Sequence, residues 1–253
     1  TPLYSSAASD VYKRQQYGRY LLNLVEGDLG TSLFTGRPVG ATIREQLPAT
    51  VELALAAMLV AVVVGTALGT VAACRAGTWV EMLANTLAIS GVSVPIFWSS
   101  LLLMWLFSLR LGWLPSTGHQ DPGSLVMPAL VLGFASAGAI GRLVRASLLE
   151  VLNRDYVNTA RAKGLGDAQV LVRHAIKNAF IPVVTIIGLQ FGFLLGGTVV
   201  TETIFARPGI GRLMVNAILW KDFAVVQGVA LLAALAYTPV SYTHLTLPTN
   251  REV

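Results

Sequence analysis

The chain has 253 residues, 54% of them hydrophobic and only 12% charged, with a formal net charge of +5. Charge at about half the level of a globular domain argues against a soluble fold, and the apolar content excludes disorder. A single cysteine, Cys74, excludes a disulfide-stapled secreted scaffold.

The first residues, 1–15 (TPLYSSAASDVYKRQ), match neither span nor loop character and resemble translated sequencing-adapter sequence. The same holds for the last, 241–253 (SYTHLTLPTNREV). Both are set aside from fold reasoning, as a scar would be, leaving 16–240 as the native domain. The segment up to Glu52 is polar and sums to zero charge. After it come five stretches without Asp, Glu, Lys or Arg: Leu53–Cys74, Met82–Leu109, Pro122–Gly141, Asn178–Thr201 and Phe223–Val240. Each is 18 to 28 residues long, and a transmembrane helix needs roughly 20. The sequence therefore predicts an all-α, polytopic transmembrane bundle with five visible spans. A transmembrane β-barrel is excluded, because its strands would alternate over roughly 10 residues each.

Within the spans, Gly65 and Gly69 form a GxxxG, and Gly188, Gly192 and Gly196 repeat at every fourth position. Small residues at this spacing let helix backbones approach closely in lipid. Pro48 and Pro182 lie near span starts, where a missing N–H costs little. Pro95 lies inside the second span and predicts a kink. No charge-free stretch holds an acid or base, so a proton relay across the membrane has no obvious members. The spans offer polar but uncharged groups, such as Ser90, Ser93, Ser99, Ser100 and Gln190.

Nearly all the excess charge sits between the third and fourth spans. Arg142–Lys177 holds seven basic and three acidic residues. The positive-inside rule places that loop in the cytoplasm, although Lys and Arg counted alone divide nine to nine between the two sides. The loop is too long for a mere connector and reads as two short helices. Asp155 caps the first, with Tyr156–Lys163 as its body; Gly164-Leu165-Gly166 breaks it; Asp167 caps a second through Val170, His174 and Asn178 towards Pro182. Tyr156 and Ala160 share a face. Ala160, Ala162 and Gly164 are small enough for a partner to come close, and Arg161 and Lys163 can meet acids on it. Read from spacing alone, this is either a docking element or a surface helix against anionic headgroups.

No Walker A, HExxH or GxSxG occurs, and His119, His174 and His244 lie in different segments. The chain therefore lacks a P-loop and an evident metal or nucleophile site. Leu114-Pro115-Ser116-Thr117-Gly118 matches a wall-sorting signal in letters, but stands between two spans. Two classes remain: a transport subunit driven by a separate ATPase, and a stand-alone channel or secondary transporter.

The run Asp155-Tyr156-Val157-Asn158-Thr159-Ala160-Arg161-Ala162-Lys163-Gly164-Leu165, followed by Arg173–Pro182, closely resembles permease subunits of bacterial ABC importers. The similarity is to the dipeptide/oligopeptide/nickel branch. Asn158-Thr159-Ala160 stand at that family's EAA motif and Gly164 at its glycine; the motif's Glu is absent. Further similar stretches are Glu26–Ser32, Leu47–Leu53, Leu111–Pro115, and Gly196–Phe205 with Pro208–Gly211. The resemblance implies a type I importer fold with six core helices, the first of them missing before Tyr17. It also implies a multi-pass protein of the bacterial cytoplasmic membrane, with the basic loop inside. Expected partners are a homologous permease, two ATPase subunits, an extracytoplasmic solute-binding protein and the lipid bilayer. ATP would be bound by the partners, and this chain would need no cofactor of its own and no nucleic acid. Asp155, Tyr156, Asn158, Thr159, Ala160, Arg161, Ala162, Lys163, Gly164 and Leu165 would form the ATPase-coupling site. The solute (peptide, nickel or sugar) and the residues that bind it are left open.

Overall fold

The computed structural model describes residues 15 and 17–246, with side chains as far as Thr238. A short helix, α1 (17–25), leads through a looped segment into α2 (Val39–Cys74). Then follow α3 (Trp79–Ser93), α4 (Ile96–Leu103, continued by a π-helix to Arg110), α5 (Val126–Leu152) and α6 (Asp155–Ala162). The chain closes with α7 (Asp167–Ile204), α8 (Ile210–Leu219) and α9 (Phe223–Thr246). Of the terminal residues set aside, 1–14 and 247–253 lie outside the described residues, and α9 runs on through 241–246.

Three helices, α2, Pro122–Leu152 and α7, are each long and apolar enough to cross a membrane. The second expected span is a broken one: α3 and α4 meet at 102°. Pro95 does more than kink it. The residue before a proline is pushed out of the α region, and Val94 is extended (φ −86°, ψ 126°), so one helix stops and a new one starts behind Pro95. The fifth expected span falls in α9, whose apolar part within the described side chains, Phe223–Thr238, is shorter than the three spanning helices.

The bundle is built around α5. Gly65 and Gly69 of α2 lie against it so tightly that an added β-carbon would stand 2.7 Å from the Ala137 carbonyl oxygen and 2.5 Å from that of Gly141. Gly133 of α5 abuts the Ala57 carbonyl in the same way, and Gly138 and Gly91 do so between α5 and α3. The GxxxG expectation holds for the first span. In the fourth span the three positions differ: Gly188 has open space, Gly192 is buried, and Gly196 faces the Tyr237 hydroxyl. Spacing shows that small residues share a face, but the neighbour decides whether that face is used.

Three apolar clusters stack along the bundle. At one end Ala73, Leu148, Val151, Val157 and Val170 pack together. Leu53, Ala57, Ala61, Leu132, Ile140 and Leu194 form the middle. Val39, Ile43, Ala217, Val225 and Val229 close the other end. The outward stripe of α2 (Leu55, Leu59, Val63) is exposed although wholly apolar, which suits lipid and not water. The 36 residues of α2 span about 54 Å against a hydrocarbon core of roughly 30 Å. Its charged first turns, with Arg44, Glu45 and Glu52, therefore stand beyond the bilayer core.

Candidate functional site

At the basic end, the loop expected from Arg142 to Lys177 is mostly helix. α5 continues unbroken to Leu152, and the second loop helix is the start of α7, continuous through a π segment (Leu171–Ile176) and past Pro182. What remains free is α6 and its turn. Arg154, not Asp155, is its N-cap (φ −79°, ψ 148°), and no side chain makes the capping bond. Asp155 sits one residue inside, where a negative charge still complements the helix dipole. Asp167 is displaced likewise, with Gly166 at the cap position.

The fold gathers the ten expected coupling residues on this one short element but splits them between two faces. Ala160, with Val157, turns inward onto Ala73, Leu148, Val151, Val170 and Ala179, so it packs the helix down and offers no surface. Asp155, Asn158, Thr159, Arg161, Ala162, Lys163, Gly164 and Leu165 stay exposed. Tyr156 is half-exposed, and its hydroxyl accepts a hydrogen bond from Asn178 Nδ2 (2.9 Å) on α7. Beneath it opens a cavity of about 730 Å³ lined by Ser147, Glu150, Arg154, Tyr156, Asn178 and Pro182. Gly164 has φ +84°, the left-handed position that ends a helix most easily with glycine, and its N–H donates to the Arg161 carbonyl (2.9 Å). Arg161 Nε pairs with Asp167 Oδ1 at 3.2 Å, tying α6 to the start of α7. The result is an exposed ridge in contact with the ends of two spanning helices, α5 and α7.

At the opposite end lies a polar cluster that charge counting did not foresee. α7 continues one turn beyond the charge-free stretch, and its Glu202 is fully buried. The expectation that the spans hold no buried acid is therefore corrected at this position. Neighbours make the burial tolerable, since a buried carboxylate needs partners. Thr50 Oγ1 of α2 donates to Glu202 Oε1 (2.7 Å), and the Arg212 backbone N–H donates to Oε2 (3.1 Å). Thr50 Oγ1 also accepts the Ile210 N–H (2.8 Å). The carboxylate and the Thr50 hydroxyl thus satisfy the first amides of α8, groups that every helix start leaves unpaired. Gly209 lies directly against this carboxylate, leaving no room for a side chain.

Buried Arg207 extends the cluster to Glu52 Oε2 (2.5 Å), with His119 Nδ1 at 3.8 Å from the same oxygen. The Gly118 N–H donates to the Phe205 carbonyl (3.1 Å). Two non-glycine residues with positive φ, Ala206 (49°) and Lys221 (56°), bracket α8. Past the charge-free stretch, residues 202–211 form a helix end, a turn and the start of α8.

Next to it, Asp222 ties the looped segment 28–38 to the start of α9. Its carboxylate accepts from Ser32 Oγ (2.5 Å) and the Leu33 N–H (3.3 Å), and Phe34 stacks on Trp220 at 4.4 Å. Burial pushes the Asp222 carboxyl up, but the bonds from Ser32, Leu33, Val225 and Phe34 together outweigh it and hold the group below its ordinary value.

The comparisons agree with this architecture. Residues 65–243 match the family model "Binding-protein-dependent transport system inner membrane component". The chain is 40% identical to the dipeptide transport system permease protein DppB of Alkalihalophilus pseudofirmus over 89% of its length and 76% of the relative's. It is 43% identical to the glutathione transport system permease protein GsiC of Escherichia coli K12, over 88% of this chain and 72% of that one. Among solved structures, the fold is similar to an inward-facing MetNI methionine ABC transporter (TM-score 0.64, 17% identity, 80% of this chain and 92% of that chain). It is also similar to an amino acid ABC transporter with histidines (TM-score 0.60, 15% identity, 80% and 91%). A helical membrane bundle, a family match over most of its length and relatives of this identity lead to one conclusion: the chain belongs to the binding-protein-dependent transport system inner membrane components, the permease subunits of ABC importers.

Proposed function

We propose that this permease forms half of a translocation pathway for short peptides, paired with a homologous permease subunit. Two separate ATPase subunits drive it through α6, and an extracytoplasmic binding protein delivers the solute to the end formed by residues 28–38, 110–121 and 202–222. The observation that carries the reading is the α6 ridge: nine exposed residues from Asp155 to Leu165, on a helix and its following turn held down by Val157 and Ala160. The peptide assignment draws support from the relatives, whose names specify a dipeptide and the tripeptide glutathione. ATP is bound and hydrolysed by the partners, and the permease itself carries no cofactor.

Mechanistically, closure of the ATPases on ATP would displace α6. Differential affinity of the closed pair for one arrangement of the bundle would then shift the permease between inward- and outward-open states. The experiment is to replace Lys163 by Glu, or Gly164 by Val, in the assembled importer. Association with the ATPases and peptide uptake should both fall by about tenfold, equivalent to roughly 1.4 kcal/mol. Unchanged association in both variants would overturn the coupling assignment. Uptake of nickel or a sugar without uptake of any peptide would overturn the solute assignment.

A further inference from the structure

We propose that Glu202 is a positioning residue for transport, fastening α8 to α2 and α7 so that the three move as one outer gate body. The proposal rests on the importer reading above, because it assigns a role within the transport cycle.

The geometry points to fastening in several ways. A fully buried carboxylate is costly unless it is hydrogen-bonded, so the partners that satisfy Glu202 are fixed to it. Glu202 spends its hydrogen-bonding capacity on elements distant in sequence. Oε1 takes the Thr50 hydroxyl of α2, and Oε2 takes the Arg212 amide of α8. Thr50 closes the triangle by accepting the Ile210 amide. The three elements are thus held at one point by groups that water could otherwise satisfy. Gly209 is the one residue type that lets the α8 backbone reach the carboxylate.

The rest of α8 is built to be carried. Its apolar face (Ile210, Leu213, Met214, Ala217) packs on Val39, Ile43, Val225 and Val229. Arg212 Nη1 holds the Ala206 carbonyl at 2.6 Å, bracing the turn that enters the helix. Arg207 makes a second connection to α2 at Glu52, two residues beyond Thr50. The left-handed turns at Ala206 and Lys221 allow α8 to fold back without a flexible linker. A helix fixed at its start to two spans transmits their movement to the outer surface, where the solute arrives.

Leu47 of α2 and Met214 of α8 line the same apolar cavity beside this point, so the pair reports on the fastening. The test is a spin-label distance measurement on Leu47→Cys with Met214→Cys, in a Cys74→Ser background. The assembled importer is studied in lipid nanodiscs, nucleotide-free and trapped with ATP. In the otherwise native protein the distance should be narrow and the same in both states. With Glu202→Ala or Gly209→Ala, assembled complexes should show a broad distance that differs between states, and uptake should fall by about tenfold. Glu202→Gln keeps one acceptor for Thr50 and should lie between. A role confined to folding would lower the yield of assembled complex without making the distance state-dependent, and that result would overturn the proposal. A distance that changes between states with Glu202 intact would also overturn it. Failure of the ATPases to bind at all would instead contradict the importer reading.

Discussion

At Gly69 a β-carbon would stand 2.5 Å from the Gly141 carbonyl oxygen, and at Gly133 2.5 Å from that of Ala57. These are backbone obstacles that cannot swing aside, so Gly69→Leu or Gly133→Leu must separate α2 from α5. Overpacking of this kind costs about 1–3 kcal/mol or more, and a lowered thermal unfolding midpoint in detergent is the expected readout. Gly188→Leu, with open space around it, should leave the midpoint unchanged. The reverse effect is expected at Ala206, whose φ of 49° costs a non-glycine residue roughly 1–2 kcal/mol. Ala206→Gly should therefore raise the midpoint. The Gly65–Gly69 pair was legible in the sequence. The α5 glycines and Glu202 were not, because their roles depend on what a second helix places opposite them. No local pattern records that Thr50 and Glu202 meet across 152 positions.

The elements show the same division between local and tertiary information. Charge-free length located α2, α5, α7 and α9, since hydrocarbon thickness is a local constraint that each helix must satisfy alone. Pro95 marked the break between α3 and α4, but neither the 102° turn nor the close packing of α3 on α5 through Gly91 and Gly138 was legible. The short helix α6 and its Gly164 stop were legible, whereas the inward face of Ala160 was not. Spacing gave a face and could not say which side was already occupied. Val157→Asp should undock α6 by burying an unpaired charge and should raise amide exchange across 155–165, while Asn158→Ala on the exposed side should not. The loop 28–38 responds to pH through Asp222. Its folded value is lowered, so its stabilisation is fully present above the ordinary Asp range and is lost as pH falls through the lowered value. Exchange or proteolysis within 28–38 should rise on acidification through that range. Asp222→Asn should show a weaker pH response and a looser loop at neutral pH.

In the whole molecule, three stacked apolar clusters join two functional ends. The basic end carries the exposed α6 ridge, packed on α5 and α7; at the opposite end the buried Glu202 carboxyl ties α2, α7 and α8 together. α7 runs from one end to the other as one helix, Asp167–Ile204, with the Arg161–Asp167 pair at its start and Glu202 in its last turn. Most of the net +5 belongs to the basic end, where residues 142–177 hold seven basic and three acidic residues. The central claim, that α6 is the surface on which an ATPase rides, is tested most directly by cysteine cross-linking in the assembled importer. Thr159→Cys and Lys163→Cys, on the exposed ridge, should each form a cross-link to an ATPase subunit with a short bifunctional reagent, and Arg212→Cys at the opposite end should form none. Cross-links absent from both ridge positions in an assembled, ATP-hydrolysing complex would contradict the account.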